Sequence, residues 1–355
     1  MSEIDDSVSR AIVGQQEVLA QIITETLYRQ EPELLERHGQ RGRAACLRDV
    51  NYHLSYLAEA IASDTPQLFV DYIAWVRSIL SGIGSLDDDF PRHLGVIRDV
   101  LLDSLPTEMH APVLTYLEAS LKEDQQPLCA QVQFAAQGTP YADLAQQYLA
   151  ALLRTDRQAA SILILNAVRD GVSVKDIYTH VFQPTQHEVG RLWQANQLSV
   201  AQEHYCTAAT QLIMSQLYPY IFNSERVGRR LVATCVGGEL HEIGIRMVAD
   251  FFEMAGWDTY YLGANTPSSS ILQVLTTQKA NVLGISATMQ THIGTMRDLI
   301  QRVRAAEEGR NVAILVGGYP FRVAPGLWLR VGADGYGVDA EDAIAVAETL
   351  TAGTH

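Results

Sequence analysis

Cysteine, basic charge and long apolar runs are what this sequence has little of, and each shortage removes a class of protein. Four cysteines (Cys46, Cys129, Cys206, Cys235) are scattered along 355 residues with no C-x-x-C pair. That spacing offers neither a disulfide framework nor a zinc knuckle, and the thiols read as small buried apolar groups. Lysine and arginine number 26 against 41 aspartates and glutamates, a net charge of -15. So acidic a chain repels phosphate backbones and anionic headgroups, which excludes direct nucleic-acid and membrane-surface binding from the expectation. No uncharged stretch approaches bilayer length, and the opening MSEIDDSVSR is acidic where a signal peptide is basic and then apolar. The expected location is the cytoplasm. Internal repeats and low-complexity tracts are also missing.

What the chain does have is apolar material, 47% of its residues, enough for two or three cores. Residues 1–125 carry a helical period, as in Val50, Leu54, Leu57 and Ile61, with breaks at SDTP and GIGSLDDDFP. Residues 138–223 form a second helical run of four or five helices with short loops, the pattern of a small bundle. Ser199 followed by Gln202 reads as a capping box, which puts Glu203 and His204 in the first turns of the bundle's last helix. Residues 228–355 then change period: short β-branched runs at 230–236, 258–262, 282–287 and 312–316 alternate with helical segments, and a fifth strand and helix follow. The fold class is therefore α/β plus all-α, with a parallel sheet covered by helices on both faces. Ligands of such sheets bind beyond the carboxyl ends of the strands, where Gly237, Gly238, Gly263, Ser286 to Thr288, Gly317 and Gly318 gather.

After the first strand comes VGGELHEIGIRM, with Glu239, His241 and Gly244; SAT (Ser286, Thr288) and GG (Gly317, Gly318) follow at later strand ends. This series closely resembles the signature of cobalamin (B12)-binding domains, whose sheet is flavodoxin-like, or Rossmann-like, beneath a helical-bundle cap. The resemblance implies that His241 replaces the cofactor's own base as the lower ligand of cobalt. It also implies that Gly244, Ser286, Thr288, Gly317 and Gly318 line a channel for the displaced nucleotide tail. A carboxylate two residues before the histidine can accept its other N–H and make it a stronger donor; most of the family has aspartate there, and this chain has Glu239.

Trp193, Glu203 and His204 lie in the bundle that precedes the sheet. They resemble the cap of methionine-synthase-type and, more closely, light-sensing cobalamin proteins. In the latter the tryptophan shields the adenosyl group of adenosylcobalamin, and the histidine takes the upper cobalt position once light removes it. The expected function is accordingly a photoreceptor, a signalling protein and not an enzyme, in which light cleaves the cobalt–carbon bond and the cap rearranges. The alternative is a corrinoid methyl carrier serving partner methyltransferases. A mutase is set aside for want of a substrate barrel.

The first 125 residues lack the basic winged helix of gene-regulating members of that branch. Three readings stay open for them: a homodimer or partner-docking bundle, a platform for a downstream signalling protein or enzyme, or a biliverdin pocket as in photocobilins. For the last, Arg48, His53, Tyr56, Tyr72, Trp75 and Arg77 supply the residue types, and Cys46 an attachment point. His292, Tyr319 and Tyr336 follow strand ends and could edge the corrin pocket, whereas Met289 and Met296 read as core.

Overall fold

The computed structural model describes residues 3–82, 89–121, 127, 134–135, 138–222, 224–307 and 309–352. Cys129 and most of the break GIGSLDDDFP lie outside them. Among the described residues no helix is long and apolar enough to cross a membrane.

The chain divides into two units. The first contains residues 1–127 with helices α1 (Glu3–Gly14), α2 (Gln16–Gln30), α3 (Glu33–Ala62), α4 (Pro66–Gly82), α5 (Asp89–Ser104) and α6 (His110–Leu121). The run from Ser9 to Gln30 reads as one helix in the sequence, but the helix breaks after Gly14, a residue that loses the most backbone freedom in a helix. Helix α3 is bent at Gly39, whose φ of 60 no helical residue adopts. Ile12, Leu19, Ile23, Leu54, Leu57 and Ile61, at three- and four-residue spacing, are fully buried or nearly so.

Two later segments, Met289–Arg297 and Tyr319–Val331, belong to this same unit. The Tyr319 hydroxyl donates to the Asp71 carboxylate at 2.8 Å, Arg297 donates to the Ala62 carbonyl at 3.0 Å, and Arg330 pairs with Asp64. The Tyr319 hydroxyl is thus engaged by α4. Met296 is core, as read.

The second unit begins with a helical cap: α7 (Ala142–Leu153), α8 (Arg157–Arg169), α9 (Val174–Asp176), α10 (Gln183–Gln194), α11 (Val200–Gln216) and α12 (Tyr218–Ile221). Between α9 and α10 the helix widens into a π turn, Ile177–Phe182. Pro184 explains it, because a proline clashes with the carbonyl four residues back and has no N–H to offer it, so the ladder upstream slips by one residue. The capping box at Ser199 and Gln202 is formed in both directions.

The sheet follows: β1 (Arg230–Cys235), β2 (Asp258–Gly263), β3 (Val282–Ser286), β4 (Ala313–Gly317) and β5 (Gly335–Tyr336), all parallel, in the order 2-1-3-4-5. The helices that follow these strands are α13 (Ile243–Met254), α14 (Ser268–Gln278), α15 (Ile293–Ala305) and α18 (Ala340–Thr351); the short α16 (Tyr319–Val323) and α17 (Leu327–Val331) between β4 and β5 in sequence belong to the first unit. The strand order is flavodoxin-like, and its direction reverses between β1 and β3, which opens a crevice at their carboxyl ends. Register makes that edge level: Cys235 lies beside Ser286, and Ser286 beside Gly317. Helices α13 and α18 pack on one face, where Ile245, Phe252, Ala343 and Ala347 meet the strands.

Cap and sheet are joined through α13. Met247 and Phe251 bury their side chains in the cap core with Tyr178, Phe182 and Ile213, at roughly 1.5–3 kcal/mol of stabilisation each. A polar row on α13 runs alongside, since residues four apart share a face. Glu242 accepts from Gln211 at 2.7 Å, Arg246 donates to the Ser215 hydroxyl at 2.7 Å, and Asp250 accepts from the Tyr178 hydroxyl at 2.7 Å.

Candidate functional site

The loop between β1 and α13 is organised by one buried carboxylate. Glu239 has no exposed surface and is met by N–H donors. One oxygen accepts the backbone N–H groups of Leu240 and His241 at 3.0 Å and the His241 ring Nδ1 at 2.5 Å; the other accepts the Thr288 N–H at 2.7 Å. Glu239 thus stitches the β1 loop to the end of β3, across the point where the sheet changes direction. The side chain longer than the family's usual aspartate reaches both partners without a gap.

His241 is held in turn. With Nδ1 bound to Glu239, its Nε2 makes no protein hydrogen bond among the described residues, and the side chain is 59% exposed. The hydrogen bond to Glu239 is the main reason its pKa rises above the ordinary histidine value; burial opposes this, and the charges of Glu239 and Glu203 add to it.

The glycines separate into two kinds. A Cβ built at Gly244 would meet no protein atom within 4 Å, so the protein itself does not require glycine there. At Gly318, with φ +109, a Cβ would sit 2.0 Å from the Ala287 carbonyl oxygen, so backbone packing alone requires it. Gly317 is in ordinary contact with the Gly337 carbonyl. Ser286 and Thr288 are half-buried at the end of β3, and their hydroxyls make no hydrogen bond to protein among the described residues.

In the cap, Glu203 binds the His204 ring Nδ1 at 2.5 Å and accepts from the Thr207 hydroxyl at 3.0 Å. His204 is 74% exposed, and Trp193, near the end of α10, is 42% exposed. Exposed apolar side chains also flank the sheet's edge at Leu240 and Val338. Sequence reading passed over Glu242, although it stands in the same ELHE stretch. Besides Gln211 it accepts the Tyr261 hydroxyl at 2.9 Å and the Ala264 N–H at 3.0 Å.

These features fit a corrinoid. A cobalt already held by a corrin ring would need little more than one nitrogen from the protein. His241 offers a neutral imidazole nitrogen whose partner nitrogen is already fixed by a carboxylate. The space over Gly244 and the hydroxyls of Ser286 and Thr288 suit a polar tail.

The candidate bilin residues come out otherwise. Tyr56 and Tyr72 stack on each other at 3.7 Å, the Tyr72 hydroxyl meets His53 Nδ1 at 2.8 Å, and all three are buried as core. Arg48 is exposed. Burial, and secondly Asp49, pushes the Cys46 thiol up to about 11, which keeps it protonated and a poor nucleophile.

Comparison with known proteins agrees with the sheet and cap. The family described as B12 binding domain matches residues 229–345, and a second B12 binding domain family matches residues 144–218. Dimethylamine corrinoid protein 1 of Methanosarcina acetivorans is 26% identical over 212 residues, 58% of this chain and 97% of the relative. Its counterpart from Methanosarcina mazei is 31% identical over 124 residues, 35% of this chain and 56% of that protein. The structure of the Methanosarcina barkeri monomethylamine corrinoid protein matches at TM-score 0.53 and 22% identity, covering 59% of this chain and all of that one, which shows a shared fold. Relatives named for methylated amines overturn the photoreceptor assignment. The light-sensing reading of Trp193, Glu203 and His204 falls with it, since the relatives that match this region are named as corrinoid proteins of methylamines. Residues 144–218 and 229–345 thus match B12 binding domain families, and they fold as a helical cap followed by a flavodoxin-like parallel sheet.

Proposed function

We propose that this chain is a corrinoid methyl carrier: it binds cobalamin between cap and sheet with His241 as lower ligand and serves partner methyltransferases. The observation that carries the reading is the Glu239–His241 pair at 2.5 Å, which leaves the ring's Nε2 presented at the sheet's switch point. Support for the methyl group comes from relatives whose names join a corrinoid to dimethylamine.

Bound cobalamin would supply a cobalt that takes up and gives away a methyl group. The chain does the rest. Glu239 orients the ring, and Nε2 holds either a proton or the metal. Because Glu239 raises the ring's pKa, that proton competes to a higher pH than on a free histidine. Gly244, Ser286, Thr288, Gly317 and Gly318 receive the tail; Trp193, Glu203 and His204 stand on the cap side. Adenosylcobalamin and biliverdin were expectations tied to light sensing, and the relatives' names support neither. A homodimer, expected from the N-terminal helices, is a matter for light scattering in solution.

The test is to load the protein with hydroxocobalamin, record the spectrum, and supply a methylated amine with its methyltransferase. His241→Ala should lose the histidine-ligated spectrum and most of the retention on gel filtration. Retention of that spectrum in the variant would sink the ligand assignment. Failure of the wild type to turn over methyl groups with any methylamine-specific partner would sink the carrier reading.

A further inference from the structure

Glu242 follows His241 directly and accepts from three donors, one on the cap and two at the end of β2. Its Oε1 accepts from Gln211 on cap helix α11 at 2.7 Å. Its Oε2 accepts from the Tyr261 hydroxyl on β2 at 2.9 Å and from the N–H of Ala264 just beyond β2 at 3.0 Å. Room for the carboxylate is made by Gly263, whose φ is +76 and whose added Cβ would lie 3.1 Å from Oε2. The carboxylate is half-buried, with both oxygens occupied by donors, so it has a geometry that only an acceptor on both sides satisfies.

Resting on the cobalamin reading, we propose that Glu242 is a positioning residue: through Gln211 it ties the cap helix carrying Glu203 and His204 to the loop that carries His241. One side chain then fixes the spacing between the two walls of the corrin site. The other links of the same row do not replace it. Arg246–Ser215 lies one turn farther along α13 and Asp250–Tyr178 two turns farther, so Glu242 is the link nearest the ligand histidine. A seam anchored at its far end and closed at its near end by one bond lets that bond set how readily a large cofactor leaves.

Reciprocal exchange in the full-length protein tests this. Gln211→Glu sets a carboxylate against Glu242 where a donor stood. Glu242→Gln alone keeps an acceptor for Tyr261 and Ala264 and turns a donor toward Gln211, whose amide must reverse for the tie to hold. The double variant Gln211→Glu/Glu242→Gln restores donor and acceptor in reversed order. Two quantities are read: amide exchange of α11 in the cofactor-free protein, and release of bound hydroxocobalamin followed by its absorption. Expected is a roughly tenfold rise in both for Gln211→Glu, typical of coupled neighbours in contact, and recovery of both in the double variant. Gln211→Glu behaving like wild type, or a double variant no better than Gln211→Glu, would overturn the tie. A change in exchange without a change in release would overturn the positioning role and leave a structural contact. If the wild type retains no hydroxocobalamin, the cobalamin reading fails and the positioning role with it, while the exchange arm still judges the contact.

Discussion

At the scale of single residues, the site is an exercise in satisfying one buried charge. Glu239 is fully buried and accepts four N–H bonds, and such a charge is tolerable only when its acceptors are met. Glu239→Gln would turn an amide donor toward either Thr288 or the His241 ring. A loss of about 1–3 kcal/mol follows from leaving a buried donor facing a donor, measurable by chemical denaturation. The His241 pKa should also fall, because its largest upward influence is removed; an NMR titration showing no fall would mean that the pair is not coupled. The two glycines give a contrasting test. Gly244→Ala should fold at least as well as wild type, since it sits at a helix start with open space around it, yet bind cobalamin more weakly. Gly318→Ala should cost of the order of 1–3 kcal/mol without any cofactor, because both its φ and its contact with Ala287 forbid a side chain. Equal melting temperatures for the two variants would contradict this division.

At the scale of elements, α13 is the member that makes cap and sheet one unit. Asp250 on its polar row is buried, and burial pushes its pKa up to about 6 from 3.8, with the Tyr178 hydrogen bond and Arg246 pulling the other way and Glu253 adding to the rise. An acid raised on folding gives stability that is complete below about pH 4 and is lost as pH rises through about 6. Asp250→Asn should therefore gain stability relative to wild type between pH 4.5 and 7, by roughly 2 kcal/mol. Denaturation curves that move in parallel for the two proteins would remove Asp250 from the account. Much of this layer was legible beforehand: strand positions came from β-branched runs bounded by glycine, and the capping box at Ser199 from its two polar residues. The π turn was not, since Pro184 at a helix's first turn reads as an ordinary start. Nor was Glu242, because its partners Gln211, Tyr261 and Ala264 are distant in sequence and leave no local period.

At the scale of the molecule, fold class could be read from the alternation of strand and helix, and cobalamin from three strand-end motifs at family spacing. The branch of the family could not. Trp193, Glu203 and His204 carry no local feature that separates a methyl carrier from a light sensor, and only the relatives' names did so. The N-terminal helices were equally opaque, for His53, Tyr56 and Tyr72 are aromatic because they fill a core. Met289–Arg297 and Tyr319–Val331 belong to the same unit as that core and are tied to it by hydrogen bonds. Deleting residues 1–127 should thus strip Asp71 from Tyr319, Ala62 from Arg297 and Asp64 from Arg330, and leave a fragment that melts earlier and is less soluble than the full chain. A fragment as stable as the whole would show these contacts to be dispensable.

The same interleaving bears on how the chain is made. Helices α1 to α6 emerge from the ribosome first, but the segments that complete their unit are translated after the cap and most of the sheet. Between those moments the N-terminal helices hold uncovered apolar surface, which is the state in which nascent chains misassociate or recruit chaperones. Completion of the first unit is thereby postponed until the strands that frame the cobalamin site have been synthesised, and maturation of the two units is bound to one order of events.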